Sequence, residues 1–270
     1  MHRAFALALA LAACHASAAA PRAPKPALPS TLDPAAIDAW LAAELADRGV
    51  VGAQLVIVHE GATVLAKGYG TRSAGAAEPV TPDTPFAIGS VSKQLTCAAA
   101  NLLADDGKLG FEDKVAKYYP ELVRAADISL DDLGAHFSGY RDYYPLDYMD
   151  ARMAAPIAPD DLLAKYAGMP LDFEPRSRWS YSNTGFVLLG RVVEKVSGLA
   201  FGTFLEQRIF QPLEMTHTRF GPPPTAAAGH TAFLVGPVVR AAAEADGWAI
   251  GAFGVYSTAN DLARWDLAFS

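Results

Sequence analysis

Ser90 and Lys93 stand three residues apart, a spacing that stacks both side chains on one face of a helix. Tyr181-Ser-Asn183 follows 88 residues beyond Lys93. A fold that uses these groups together must start a helix at the serine and bring a distant loop back to it. Thirteen serines and eight lysines in 270 residues give about 0.4 Ser-x-x-Lys matches by chance, so the pair alone is weak. Ten tyrosines and three asparagines give about 0.1 Tyr-x-Asn matches, and the combination is correspondingly sharper.

The chemistry these residue types allow is narrow. A free serine hydroxyl is a poor nucleophile at neutral pH and needs a neighbouring base. Lys93 either is that base or holds a second one, provided desolvation or nearby positive charge lowers its pKa. Tyr181 is a plausible second member, because a phenol held beside a cation gives up its proton more easily. Together they describe a serine acyl-transfer site that works without a catalytic histidine.

The local context fits. Phe86-Ala-Ile-Gly-Ser-Val-Ser-Lys-Gln-Leu-Thr96 reads as a short apolar entry, a glycine and a helix start. Leu95, Ala98, Ala99, Leu102 and Leu103 recur at helical spacing before the Asp-Asp-Gly stop at 105–107. Ser90 would then lie in the first turn, where unpaired N–H groups and the positive dipole end favour developing negative charge. Ser92 is a fallback nucleophile, but next to Lys93 in sequence it would point away from it.

Ser90-Val-Ser-Lys93 and Tyr181-Ser-Asn183 resemble the first two signatures of the class C β-lactamase-like serine hydrolases, a group that includes penicillin-binding DD-peptidases and esterases. Asp106-Gly-Lys-Leu-Gly-Phe-Glu-Asp113 with Tyr119-Pro120 is similar to the segment that follows the nucleophile helix in that family. Ile128 to Gly139 resembles its His-Thr-Ser-Gly loop, with Phe137 at the threonine position. Gly251 to Trp265 resembles a late segment ending in a helix. The similarity runs from about residue 35 to 270.

The resemblance implies an α/β (α+β) fold: an antiparallel sheet flanked by helices, with an all-helical subdomain inserted at roughly 110–178. It implies catalytic Ser90, Lys93 and Tyr181, with Asn183 binding substrate or orienting Lys93, and no cofactor. The substrate would be a β-lactam, a D-Ala-type peptide or an ester. The family's third signature, a Lys/His-x-Gly strand lining the site, would fall after residue 265, and the sequence stops at Ser270 without it. His230-Thr-Ala is the nearest look-alike but lies too early and lacks the glycine. The expectation is a chain incomplete at its C-terminus or a degenerate member, and the alternative function is a non-catalytic or acylation-only penicillin-binding remnant.

The remaining sequence bounds the picture. Residues 1–20, with Met1-His-Arg3, an apolar run from Ala4 to Ala13 and small residues after it, read as a secretory signal too short to span a membrane. Cleavage after Ala16-Ser-Ala18 and lipidation at Cys14 in Leu11-Ala-Ala-Cys14 are both open, so the product is periplasmic or extracellular, either free or lipid-anchored. Residues 21–32 read as a Pro/Ala-rich linker and 33–270 as the hydrolase domain. A net charge of −7 without a Lys/Arg run argues against nucleic acid. Cys97 reads as a small buried residue rather than a thiol lining the site. No Gly-x-Ser-x-Gly elbow surrounds Ser90, and His136 reads as a structural histidine in a tight loop. The histidines and cysteines show no metal spacing. Tyr140, Tyr143, Tyr144 and Tyr148 line either a cleft or the core.

Overall fold

The computed structural model describes residues 32–144, 151–231 and 236–269. The proposed signal, Cys14, most of the linker and Tyr148 lie outside the described residues. The chain divides into two units, Met1–Arg48 and Gly49–Ser270.

In the first unit the described element is α1 (Pro34–Asp47). Asp33 caps it: Oδ1 accepts from the Ala35 and Ala36 N–H groups at 3.0 and 3.1 Å. Pro34 at the first helical position lacks an N–H that would otherwise go unpaired.

The second unit begins with two strands, β1 (Gly52–His59) and β2 (Ala62–Gly70), paired antiparallel. Glu60 and Gly61 join them, both at positive φ (49° and 76°), the geometry that matches a two-residue hairpin loop to strand twist. Gln54 ties the hairpin to the rest of this unit. Its Nε2 donates to the Thr84 carbonyl at 2.7 Å and its Oε1 accepts from Ala259 N–H at 2.6 Å.

A short β3 (Phe86–Ala87) leads through a 3₁₀ turn at Gly89–Val91 into α2 (Ser92–Asp105). The α-helix thus starts two residues later than the Ser90 start expected. Gly89 has φ +52°, so the chain enters through a left-handed residue and a tighter turn before α-geometry sets in. Next come α3 (Leu130–Gly134), α4 (Pro159–Tyr166), α5 (Asn183–Ser197) and α6 (Phe201–Leu205). A π-helical turn at Glu206–Phe210 extends α6. The chain continues through β4 (Arg219–Phe220), β5 (His230–Thr231), β6 (Val239–Arg240) and β7 (Val255–Ser257) to α7 (Ala259–Leu267).

The result is the expected mixed helix and antiparallel-sheet fold. Among the described residues the pairing is divided into β1–β2, β3–β7–β4 and β5–β6. α5 runs through the core: Phe186, Val187, Leu188, Leu189, Val192 and Val193 are buried, and the helix packs on α2, α3, α4 and α6. Leu95 and Leu103 of α2 and Leu130 and Leu133 of α3 are fully buried with them. Truncating one such leucine typically costs about 2–5 kcal/mol. This core fixes the N-terminal ends of α2 and α5, and those ends carry the candidate site.

Candidate active site

Ser90 sits in the Gly89–Val91 turn, exposed to solvent. The turn is clamped from below. Ser92 Oγ donates to the Gly89 carbonyl at 2.7 Å and accepts from Val255 N–H at 3.3 Å, and Ile88 N–H donates to the Val255 carbonyl at 3.0 Å. Ser92 is buried in that role, turned away from the site as its position beside Lys93 implied.

One turn on, Lys93 is only 7% exposed. A buried ammonium is costly unless every N–H finds an acceptor. Nζ donates to Ser90 Oγ at 3.1 Å, to Asn183 Oδ1 at 2.8 Å and to the Ala252 carbonyl at 2.6 Å. It also lies 4.8 and 5.3 Å from the ring centroids of Tyr181 and Phe186. Burial brings its pKa down from 10.5 to about 8, against the opposing pull of Asp142 and Cys97.

Tyr181 and Asn183 arrive at the head of α5. Ser182 is the N-cap, its backbone extended and its Oγ accepting from Gly185 N–H at 3.3 Å, so Tyr181 lies just outside the helix and Asn183 is its first residue. The Tyr181 hydroxyl lies 2.6 Å from Ser90 Oγ. All four residues singled out from the sequence therefore converge, and Ser90 Oγ stands within hydrogen-bond reach of both an amine and a phenol.

Three participants carried little or no sequence signal. The Ala252 carbonyl belongs to backbone and leaves no residue-type trace. Asp142 accepts from the Asn183 N–H and Nδ2 groups at 3.1 and 3.2 Å. His136 brackets Tyr181: its Nδ1 accepts from Ser182 N–H at 3.1 Å and its carbonyl from Ser180 N–H at 3.0 Å. Its ring stacks on the Tyr181 ring with centroids 4.5 Å apart and planes 30° apart. Burial, reinforced by the Lys93 charge, lowers its pKa to about 4. It is the tight-loop histidine read from the sequence, at φ +64°, but its loop supports the phenol.

The other candidates resolve locally. Cys97 is half-buried, its thiol pKa pushed up by burial. Tyr140 and Tyr143 are buried and donate to the Val123 and Trp248 carbonyls, and the Tyr144 hydroxyl donates to Glu244 at 2.7 Å. His230 Nε2 accepts from Ala74 N–H at 3.0 Å and so holds the loop after β2. Among the described residues no group of three His, Cys, Asp or Glu side chains is arranged to hold a metal ion.

Comparison with known proteins matches the geometry. The model of the family described as Beta-lactamase aligns with residues 37–269. The chain belongs to the Beta-lactamase family. Among curated members, a penicillin-binding protein of Bacillus subtilis (strain 168) is 32% identical over 61% of this chain and 37% of its own length. A beta-lactamase of Escherichia coli (strain K12) is 31% identical over 70% of this chain and 48% of its own. The chain thus spans less than half the length of either relative. The octameric penicillin-binding protein homologue from Pyrococcus abyssi superposes with a TM-score of 0.75 at 26% identity, over 86% of this chain and 55% of that one.

Proposed function

We propose that this Beta-lactamase family chain is a class C-like serine hydrolase that forms an acyl-enzyme on a β-lactam, a D-Ala-type peptide or an ester. The observation that carries the reading is the convergence on Ser90 Oγ of Tyr181 OH at 2.6 Å and Lys93 Nζ at 3.1 Å. Ser90 Oγ attacks the substrate carbonyl carbon, and its proton passes to neutral Lys93 or, through Tyr181, to the same network. With its pKa at about 8, Lys93 is neutral in about a tenth of molecules at pH 7 and about half at pH 8. The Ser90 N–H, at the head of the turn, supplies an oxyanion donor.

Collapse of the tetrahedral intermediate breaks the C–N or C–O bond, and the leaving group takes the stored proton. Water then attacks the ester carbon, gives a proton to the network and returns the Ser90 hydroxyl. Asn183 holds Lys93 in place or binds a substrate amide. Choice among the three substrate classes lies in the shape of the pocket.

The test pairs labelling with turnover. A fluorophosphonate and a fluorescent penicillin should each label Ser90 and leave Ser90→Ala unlabelled, while a chromogenic cephalosporin or a nitrophenyl ester is hydrolysed. Stable labelling without turnover would favour an acylation-only binding protein, and failure of both reagents at Ser90 would overturn the proposal.

We also infer export, from the positive start, apolar run and small-residue stretch of residues 1–20. A Cys14→Ala variant that still partitions with membranes would count against lipidation there, and retention of residues 1–13 in the mature product would count against cleavage at either place.

A further inference from the structure

Asn183 lies between two groups that leave its amide no freedom. On one side is the Lys93 ammonium, which only donates, 2.8 Å from Oδ1. On the other is the Asp142 carboxylate, which only accepts, with Oδ2 3.2 Å from Nδ2. Turning the amide over would face donor to donor and acceptor to acceptor, so one orientation survives. The second Asp142 oxygen is taken as well: Oδ1 accepts from Asn183 N–H at 3.1 Å and from Tyr144 N–H at 3.2 Å.

The segment carrying Asp142 is itself fixed to the head of α5. Thr184 Oγ1 donates to the Arg141 carbonyl at 2.6 Å. Asp172 N–H donates to the Gly139 carbonyl at 2.9 Å, and buried Tyr143 donates to the Trp248 carbonyl. The carboxylate is thus held in register with Asn183 by contacts on both sides.

We propose that Asp142 is a positioning residue of the site: it sets the Asn183 amide so that its oxygen meets Lys93, and it supplies the negative charge that keeps the buried amine in place. The inference rests on the reading that Lys93 serves Ser90. The titratable groups acting on Lys93 are Asp142 and Cys97, which favour its charged form, while His136 is held neutral by burial first and by the Lys93 charge second. Tyr181 faces it through its ring.

Asp142→Asn isolates the effect at constant shape. Its new NH₂ group would stand against Asn183 Nδ2, and turning Asn183 over would aim that NH₂ at Lys93. Both the hydrogen bond and the charge that favour the ammonium are weakened, so Lys93 should titrate at lower pH. The readout is the pH titration of the Lys93 ¹³Cε resonance in lysine-labelled protein, identified by its loss in Lys93→Met. It needs no turnover, so it reports on Asp142 even if Ser90 proves not to be acylated. The expected result is a midpoint displaced to lower pH in Asp142→Asn, and where Ser90 is labelled, a labelling rate at the high-pH plateau lower by about tenfold or more.

Asp142→Glu retains the charge and should move the midpoint less than Asp142→Asn. An unmoved midpoint in a folded Asp142→Asn protein overturns the proposal, whatever happens to the rate. Equal displacement in the Glu and Asn variants would likewise overturn it, because that marks a general packing defect.

Discussion

Gly190 of α5 and Gly251 meet backbone against backbone. A Cβ built on Gly190 would lie 2.9 Å from the Gly251 Cα, and one built on Gly251 would lie 2.2 Å from the Phe186 carbonyl oxygen. Gly251 also has φ +69°, where L side chains are strained. This close approach lays the segment over the α2–α5 seam. There the Gly251 carbonyl accepts from Thr96 Oγ1 at 2.7 Å and the next carbonyl, Ala252, accepts from Lys93.

Gly251→Ala should therefore strike stability and site together. A strained φ combined with a backbone clash predicts a loss of about 2 kcal/mol or more in urea unfolding. Ser90 labelling of the remaining folded protein should slow as well, because the Ala252 acceptor shifts. Gly198→Ala is the control: it also has positive φ, but a Cβ there meets nothing within 4 Å. It should lose stability without slowing the labelling.

Tyr181→Phe removes the hydroxyl 2.6 Å from Ser90 Oγ while leaving the ring that His136 stacks on. Loss of one member of a proton network predicts a fall of about 10²–10⁴ in labelling rate. The melting temperature should move little, since the hydroxyl lies at an open site: Tyr181 is 38% exposed. Stopped-flow or gel-based labelling measures the first and thermal unfolding the second.

Lys93 should leave its mark on stability. Its amine titrates at 10.5 unperturbed and at about 8 in the fold. Between those values the unfolded chain binds more protons, so stability rises with pH across that window, by about 3 kcal/mol in all. Lys93→Met should abolish that rise and be inactive. The difference between the two unfolding free energies from pH 7.5 to 10.5 is the measurement.

His136 predicts the opposite limb. Its pKa is 6.5 unperturbed and about 4 in the fold. As pH falls from 6.5 towards 4, the unfolded chain takes up the proton first and stability declines, by about 2 kcal/mol after allowance for partial exposure. His136→Asn keeps an acceptor for Ser182 N–H and a residue type tolerant of positive φ. It should flatten the acid decline in urea titrations and retain more labelling activity than His136→Phe, which keeps a ring but no acceptor.

How much of this the sequence disclosed follows from where information sits. Ser90, Lys93, Tyr181 and Asn183 are side-chain chemistry at the heads of two strongly patterned helices, α2 and α5. β3, β4, β5 and β6 are two residues each, too short for any alternation to register. Asp142 lies in a Tyr-rich loop whose aromatic residues drew the attention, and its partner is 41 residues away. The Ala252 carbonyl could not be read from residue type at all, and the Gly190–Gly251 contact that delivers it becomes visible only once two separate segments are packed.

In the proposed mechanism Lys93, its pKa lowered by burial, activates Ser90 together with Tyr181. The most direct measurement is the rate of covalent labelling of Ser90 by a fluorophosphonate, followed from pH 5.5 to 10 with the modified residue identified by peptide mass spectrometry. The rate should climb with pH and reach half its plateau near pH 8, with the adduct on Ser90 and the climb lost in Lys93→Met. A rate independent of pH across that range, or an equal climb in Lys93→Met, would contradict it.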